Sequence, residues 1–145
     1  MAIVQRAVQI NASPLETMAL LSDANRWPDW YPGMTQIDIA APFPEKGGKV
    51  VFKVKSAGMS MSITETVLDF RPGELQLLQM DGAFSGRARW ELTPEGDGTQ
   101  LTTTFDYTLP GGVLGRMADS LFVKRTNSKT LEEALGNFKA FVERQ

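Results

Sequence analysis

A change of hydrophobic period at Pro110 constrains the fold of this chain more than any other sequence feature. Before Pro110, six successive stretches are predicted as strands. All but residues 74–80, whose phase is uncertain, alternate apolar and polar residues as strands with one buried face do. An earlier stretch, residues 3–10, alternates in the same way. After Pro110 the apolar residues step by four, three and four, which predicts a buried stripe on one long helix. The members of this stripe are Leu131, Leu135, Phe138 and Val142.

Two short helices are predicted between the first strand and the six that follow. In residues 13–23, Ser13 suits the N-cap, Pro14 suits the first helical position and Glu16 completes a capping box. A second short helix is expected within residues 23–30. The residues expected on the buried face of the first short helix are Leu15, Met18 and Ala19, with Leu21 as a possible extension of that face.

Composition excludes several classes of chemistry. The chain has no cysteine and no histidine, which excludes thiol nucleophiles, cysteine zinc sites and Ser-His-Asp triads. A net charge of −2 without a basic tract argues against nucleic-acid partners. No apolar run approaches the length of a membrane span, so no stable membrane insertion is expected. The expectation is a soluble cytoplasmic protein, monomer or homodimer, with no metal and no cofactor.

Seven strands and a long C-terminal helix predict an α+β fold in which the helix covers the apolar face of an antiparallel sheet. The chain contains no internal repeat, linker or low-complexity segment. We therefore expect residues 1–145 to form a single domain.

Three stretches, residues 10–34, 86–107 and 128–143, resemble the START-like (SRPBCC) superfamily. The first carries Trp-Pro-x-Trp-x-Pro-Gly and the second carries Trp-x-Leu-x-Pro-x-Gly-x-Gly-Thr. This superfamily includes polyketide cyclase/dehydrases, lipid-transport domains and the birch-pollen-allergen fold. The resemblance implies the helix-grip fold, a seven-stranded curved antiparallel sheet with two short helices after strand 1 and a long C-terminal helix packed over the sheet.

The resemblance also implies a ligand-binding domain with a hydrophobic cavity between sheet and helix. Such a cavity would bind or transport a lipid, polyketide, isoprenoid or aromatic compound, unless small and large side chains interlock into a filled core. The alternative function is a metal-free enzyme of the polyketide cyclase/dehydrase kind, and whether the chain is an enzyme stays open. A protein-interaction module is a third possibility, which the polar outward strand residues disfavour.

Glu65 is the most informative single residue, because it alternates in phase with apolar neighbours such as Ile63. A carboxylate on that face is costly unless it is paired or protonated. It is a candidate ligand anchor or general base, with Tyr107 or Arg6 as the candidate partner that stabilises an enolate. The alternatives are a bulge that turns Glu65 outward, or a structural pair with an inward cation, Arg6 or Lys124.

The remaining candidate ligand contacts lie on the inward phase of the strands or on the sheet-facing side of the long helix. For the aromatic members, plain core packing is the alternative. These candidates are Arg6, Trp30, Phe52, Met59, Met61, Ile63, Phe84, Ala88, Trp90, Thr103, Phe105, Met117, Leu121, Lys124, Asn127 and Ser128.

Two further segments have alternative interpretations. The glycine-rich residues 109–117 are either a mobile gate to the cavity or a simple strand-to-helix connection. Residues 22–33, with two tryptophans and two prolines, are expected to plug one end of the sheet rather than to carry chemistry.

Overall fold

The computed structural model describes residues 2–56, 58–108 and 120–145. The strands are β1 (Ala2–Ile10), β2 (Met34–Ala41), β3 (Lys49–Ser56), β4 (Met59–Arg71), β5 (Leu75–Gly82), β6 (Ser85–Glu95) and β7 (Gly98–Thr108). The described helices are α1 (Pro14–Leu21), a 3-10 helix (Ala24–Asp29) and α2 (Ser120–Glu143). None of these helices has the length and apolar character that crossing a lipid bilayer requires.

The seven strands form one antiparallel sheet in the order β1-β7-β6-β5-β4-β3-β2. Strands β2 to β7 follow one another as a meander, whereas β1 crosses to the far edge and pairs with β7. In that pair Ala2 lies opposite Tyr107 and Ile10 lies opposite Thr99. This architecture confirms the predicted helix-grip fold, with two short helices after β1 and a long helix after β7.

Helix α2 packs against the sheet through the predicted stripe of Leu131, Leu135, Phe138 and Val142, and all four side chains are buried. Polar contacts fasten the C-terminal half of α2 to the end of β1. Lys139 donates from Nζ to the carbonyl oxygen of Gln9 at 2.9 Å. The Glu143 carboxylate accepts the backbone N–H of Asn11, also at 2.9 Å. The helix is therefore fixed at this end by both apolar burial and hydrogen bonds.

Helix α1 begins as predicted, but its buried face differs from the expected one. The Ser13 hydroxyl oxygen accepts the backbone N–H of Glu16 at 3.2 Å, which confirms the N-cap. The buried residues are Thr17, Met18 and Leu21. Leu15 is 66% exposed and Ala19 is also exposed, so the expectation for these two was wrong. In so short a helix a single face meets β6 and β7, and Leu15 lies instead beside Gly73.

Candidate ligand-binding cavity

A cavity of about 80 Å³ lies among the described residues of the sheet, the 3-10 helix region and α2. A single buried water needs roughly 10–15 Å³, so this volume is well beyond a packing defect. Eight aromatic side chains line it, namely Trp27, Trp30, Tyr31, Phe52, Phe84, Trp90, Phe105 and Tyr107. The cavity is therefore a mostly apolar space with a few polar groups, which is typical of small-molecule sites.

The 3-10 helix and the residues after it form one wall of the cavity. Trp27 donates its indole N–H to the carbonyl oxygen of Leu21 at 2.8 Å, which joins the 3-10 helix to α1. The Trp30 ring packs on Phe138 of α2 with 4.6 Å between ring centroids and meets Trp90 edge-on at 6.2 Å. The segment thus packs against the core as predicted, and it also contributes three aromatic rings to the lining.

Gly33 allows this segment to turn sharply into β2. Its φ angle is +77°, a conformation that residues with a side chain rarely adopt. A Cβ atom at this position would lie 2.6 Å from the carbonyl oxygen of Lys55 on β3. The backbone N–H of Lys55 donates to the Gly33 carbonyl oxygen at 2.9 Å. This close approach holds the tryptophan-bearing segment against β3.

Glu65 faces the cavity from the middle of β4, where it pairs in register with Val50 and Met80. It is only 8% exposed. Among the residues that the structure describes, no side chain donates a hydrogen bond to its carboxyl group and no cation pairs with it. Burial without a partner raises its pKa to about 8. Glu65 is therefore mostly protonated at neutral pH.

Neither alternative arrangement of Glu65 is observed. The β4 register shift lies between Val67 and Asp69 and leaves Glu65 facing inward. Arg6 reaches away from the cavity and donates to Glu132 of α2 at 2.8 Å. Lys124 is exposed on α2. The alternative in which one of these cations pairs with the carboxylate is therefore not observed, because both long side chains extend towards solvent.

Two tyrosine hydroxyls accompany the carboxyl group. Asn127 of α2 donates from Nδ2 to the Tyr107 hydroxyl oxygen at 2.8 Å, so the Tyr107 proton is free for another acceptor. Burial raises the pKa of Tyr107, while the hydrogen bond from Asn127 lowers it. The pKa of Tyr31 is raised by burial and by the nearby Glu65 and Tyr107. Both phenols therefore stay neutral and can donate hydrogen bonds.

The structure brings nine of the sequence-predicted site residues to the cavity lining. They are Trp30, Phe52, Ile63, Glu65, Phe84, Trp90, Phe105, Tyr107 and Asn127. Six of these come from the inward phase of the strands and Trp30 from the motif after α1. Phe84 lies in the turn just before β6, and Asn127 comes from the polar interruption of the α2 stripe.

Seven other candidates do not line the cavity: Arg6, Met59, Met61, Ala88, Thr103, Lys124 and Ser128. Met59 is 48% exposed because it begins β4 beside the β3–β4 turn. Ala88 and Thr103 are buried, but Ala88 lies between the larger Leu78 and Phe105, whose side chains reach the cavity instead. Ser128 donates to the Lys124 carbonyl oxygen within α2.

Some predictions fall outside the described residues. Met117, the predicted gate at 109–117 and the side chain of Leu121 are outside the part of the chain that the structure describes. These predictions stay predictions.

Nine further lining residues were not among the candidate ligand contacts: Leu21, Trp27, Tyr31, Met34, Val54, Gln76, Leu78, Met80 and Thr130. Val54 was on the predicted inward phase of its strand, and Thr130 lies one helical turn after Asn127. Gln76 is 1% exposed and donates to the Ser22 hydroxyl at 3.1 Å. Its strand carries leucines on both phases, so alternation could not find it.

Within residues 2–56, 58–108 and 120–145, no group of three or more acidic side chains is placed to hold a metal ion.

Comparison with known proteins connects this cavity to a family. The sequence profile of the family described as polyketide cyclase/dehydrase and lipid transport matches residues 1–143. No protein of curated function matches the chain in sequence.

Solved structures share the fold. A Thermus thermophilus protein, TTHA0849, is 18% identical with a TM-score of 0.83, and the match covers 99% of this chain and 98% of that one. The Zhui aromatase/cyclase from Streptomyces sp. R1128 is 17% identical with a TM-score of 0.84, and the match covers 99% of this chain and 94% of that one. A START superfamily protein from Mycobacterium smegmatis is 24% identical with a TM-score of 0.77, and the match covers 98% of this chain and 97% of that one. At these identities the likeness establishes the fold alone.

Proposed function

Because the chain belongs to the polyketide cyclase/dehydrase and lipid transport family, we propose that its cavity binds a hydrophobic small molecule. The ligand class is a lipid, polyketide, isoprenoid or aromatic compound. The observation that carries this proposal is the cavity of about 80 Å³ with eight aromatic rings in its lining. Aromatic walls supply a large apolar contact area at little cost in side-chain entropy.

The few polar groups give the ligand a preferred orientation. Glu65 lies on β4, Tyr107 on β7 and Asn127 on α2, so polar atoms approach the space from the sheet and from the helix. Sites of this kind gain affinity from apolar burial and specificity from a small number of placed polar groups. A ligand with one polar end and an apolar body satisfies both parts of the lining.

The binding proposal is tested by thermal unfolding with a panel of small hydrophobic compounds. A ligand that binds the folded state raises the melting temperature as its concentration exceeds the dissociation constant. In Ile63→Phe, a larger side chain enters the cavity from β4, and this variant should lose the shift. Ser62→Phe is the matched control, because Ser62 is exposed on the opposite face of the same strand. A folded wild-type protein that no compound stabilises would contradict the proposal.

A second candidate function is cyclase/dehydrase chemistry. The observation that favours it is a carboxyl group with a pKa of about 8 in the same cavity as the Tyr107 hydroxyl. Ionised Glu65 would remove a proton next to a ligand carbonyl, and the Tyr107 O–H would stabilise the enolate oxygen. One similar structure, the Zhui protein, is itself an aromatase/cyclase, which supports this candidate.

Proton abstraction can be measured without knowing the substrate. The α-hydrogens of 2-acetylnaphthalene exchange with D₂O when a base removes them, and NMR follows the exchange. The protein should accelerate this exchange, with a rate that rises as pH passes about 8, since the base must be ionised. Glu65→Gln should abolish the acceleration and Tyr107→Phe should reduce it. Binding of the ketone without accelerated exchange would leave only the binding function.

A further inference from the structure

We infer that the ligand of this cavity carries a basic amine, whose ammonium group binds the Glu65 carboxylate while its apolar body contacts the aromatic walls. This inference rests on the proposed binding function and specifies its ligand class. It follows from the charge of the lining. Glu65 is the one acidic side chain among the described residues that line the cavity, and no lysine or arginine accompanies it there.

The two cations considered as alternative partners of Glu65 lie elsewhere. Arg6 is paired with Glu132 outside the cavity, and Lys124 is exposed. A buried carboxylate needs a positive partner and further hydrogen bonds, or it keeps its proton. Without a ligand, the Glu65 carboxyl group keeps its proton instead. An ammonium ligand would replace that proton with a full charge pair inside the cavity.

The surroundings of Glu65 suit such a pair. Tyr31 and Tyr107 each have a neutral hydroxyl in the lining, and these can donate to carboxylate oxygens that the ammonium group leaves unsatisfied. The faces of tryptophan, tyrosine and phenylalanine rings attract cations, most strongly where water is excluded. Aromatic rings from β3, β6 and β7 and from the 3-10 helix region supply such faces.

The same charge pattern disfavours acidic ligands. Above the pKa of Glu65, where its carboxyl group is ionised, a fatty acid or another carboxylate would bring a second negative charge towards it, and the described lining offers no cation to offset that charge. For compounds of equal shape, the expected order of affinity is therefore amine, then alcohol, then carboxylate.

The pH dependence separates an amine from a neutral carbonyl ligand. The titratable groups that face Glu65 within the described lining are Tyr31 and Tyr107, which stay neutral around pH 8. Binding an ammonium ion expels the proton of Glu65, so affinity falls about tenfold per pH unit below the pKa of the carboxyl group. A carbonyl ligand would need that proton as a hydrogen-bond donor, and its affinity would fall above the same pKa.

Isothermal titration calorimetry with matched probes tests the inference. One series is 2-(2-naphthyl)ethylamine, 2-(2-naphthyl)ethanol and 3-(2-naphthyl)propanoic acid, and a phenyl series covers a smaller body. At pH 8.5 the amine should bind about tenfold or more tightly than the alcohol, as a charge-assisted hydrogen bond predicts. Glu65→Gln should remove this preference while alcohol binding persists. Glu132→Gln, a change of the same kind outside the cavity, should leave both affinities unchanged.

The outcomes distinguish this inference from the proposal beneath it. Equal affinity for amine and alcohol in the wild-type protein, or amine binding that strengthens as pH falls below 8, overturns the amine inference and leaves hydrophobic binding intact. No binding of any probe in either series contradicts the proposed function itself. If Glu65→Gln does not fold, the wild-type pH profile of amine against alcohol decides the matter alone.

Discussion

Asn127 of α2 donates a hydrogen bond of 2.8 Å to the hydroxyl oxygen of Tyr107 on β7. Both residues line the cavity, so this contact joins the helix to the sheet at the edge of the ligand space. It also fixes the chemistry of the phenol. With its oxygen engaged as an acceptor, Tyr107 presents its proton to the cavity as a donor.

Removing this hydrogen bond should lower the free energy of unfolding by a modest amount. Asn127→Ala and Tyr107→Phe should each destabilise the protein, and a double-mutant cycle should give a coupling energy of about 1 kcal/mol, the usual net value of one hydrogen bond. The pKa of Tyr107 should rise further in Asn127→Ala, because the hydrogen bond lowers it. Urea unfolding measures the coupling, and a coupling of zero would show that the contact contributes nothing in solution.

Glu65 should make stability fall as pH rises. The folded protein keeps the Glu65 proton up to about pH 8, whereas the unfolded chain loses it at the ordinary value of 4.5. Between these values the free energy of unfolding should decrease by about 1.4 kcal/mol per pH unit from this group. Glu65→Gln should lack this contribution and be more stable than wild type at pH 9. Urea unfolding from pH 4.5 to 9 measures this dependence of the free energy of unfolding on pH, with Glu132→Gln as the control variant. If the free energies of unfolding of Glu65→Gln and wild type change with pH in parallel, Glu65 is not buried as described.

Trp30→Ala should destabilise the protein by about 3–5 kcal/mol, as truncation of a buried aromatic does. Trp30 is buried and packs on Phe138 and Trp90. Its indole N–H has no hydrogen-bond partner in the described structure. Trp30→Phe should therefore cost much less, since it sacrifices volume and no hydrogen bond. A chemical denaturation midpoint for each variant tests this, and equal losses would show that the N–H matters more than the ring.

Arg6→Met should change stability by less than about 1 kcal/mol, because exposed ion pairs contribute little. Its Nε lies 2.8 Å from the Glu132 carboxylate, and both side chains are substantially exposed. Arg6 does not line the cavity, so ligand affinity should be unchanged. Calorimetric titration with 2-(2-naphthyl)ethanol checks the second statement. A large loss of affinity would make Arg6 a ligand contact after all.

Gly136→Ala should stabilise the protein by about 0.5–1 kcal/mol, because alanine gains helix propensity over glycine chiefly by restricting the unfolded chain. Gly136 lies within α2, and a Cβ atom there would meet no other atom within 4 Å. The contrasting change is Gly86→Ala, where the new Cβ would overlap the Asp106 carbonyl oxygen and should destabilise strongly. Melting temperatures that move in the same direction for both variants would contradict this interpretation.

The fold was predictable because its elements have clear periods. Alternation located the strands, and the spacing of Leu131 and Phe138 located the buried side of α2. The N-cap of α1 was predictable because capping is local chemistry, which Ser13 and Glu16 carry in four residues. The short helices were predicted as elements, but the rotation of α1 was not, since eight residues carry too weak a periodic signal.

The cavity was predictable only where strand phase was clear. Glu65 and Tyr107 were found because each follows an unambiguous alternation. Tyr31 lies after a 3-10 helix, where no period indicates which way a side chain points. Gln76 lies in a strand whose apolar residues occupy both phases. Arg6 has the inward phase, yet its long side chain reaches the edge of α2 and Glu132.

The pairing of β1 with β7 has a consequence for how the protein is made. Strand β1 is synthesised before the other strands of the sheet and lies at its edge, where Ala2 pairs with Tyr107, which is synthesised much later. Until β7 emerges, Val4 and Ile10, both fully buried in the finished protein, have no neighbouring strand to cover them. Contacts this distant in sequence close slowly and leave apolar segments exposed meanwhile. β1 therefore stays unpaired for longest during synthesis. Strand β7 completes the sheet, and Asn127 and Thr130 of α2 close the described cavity wall afterwards.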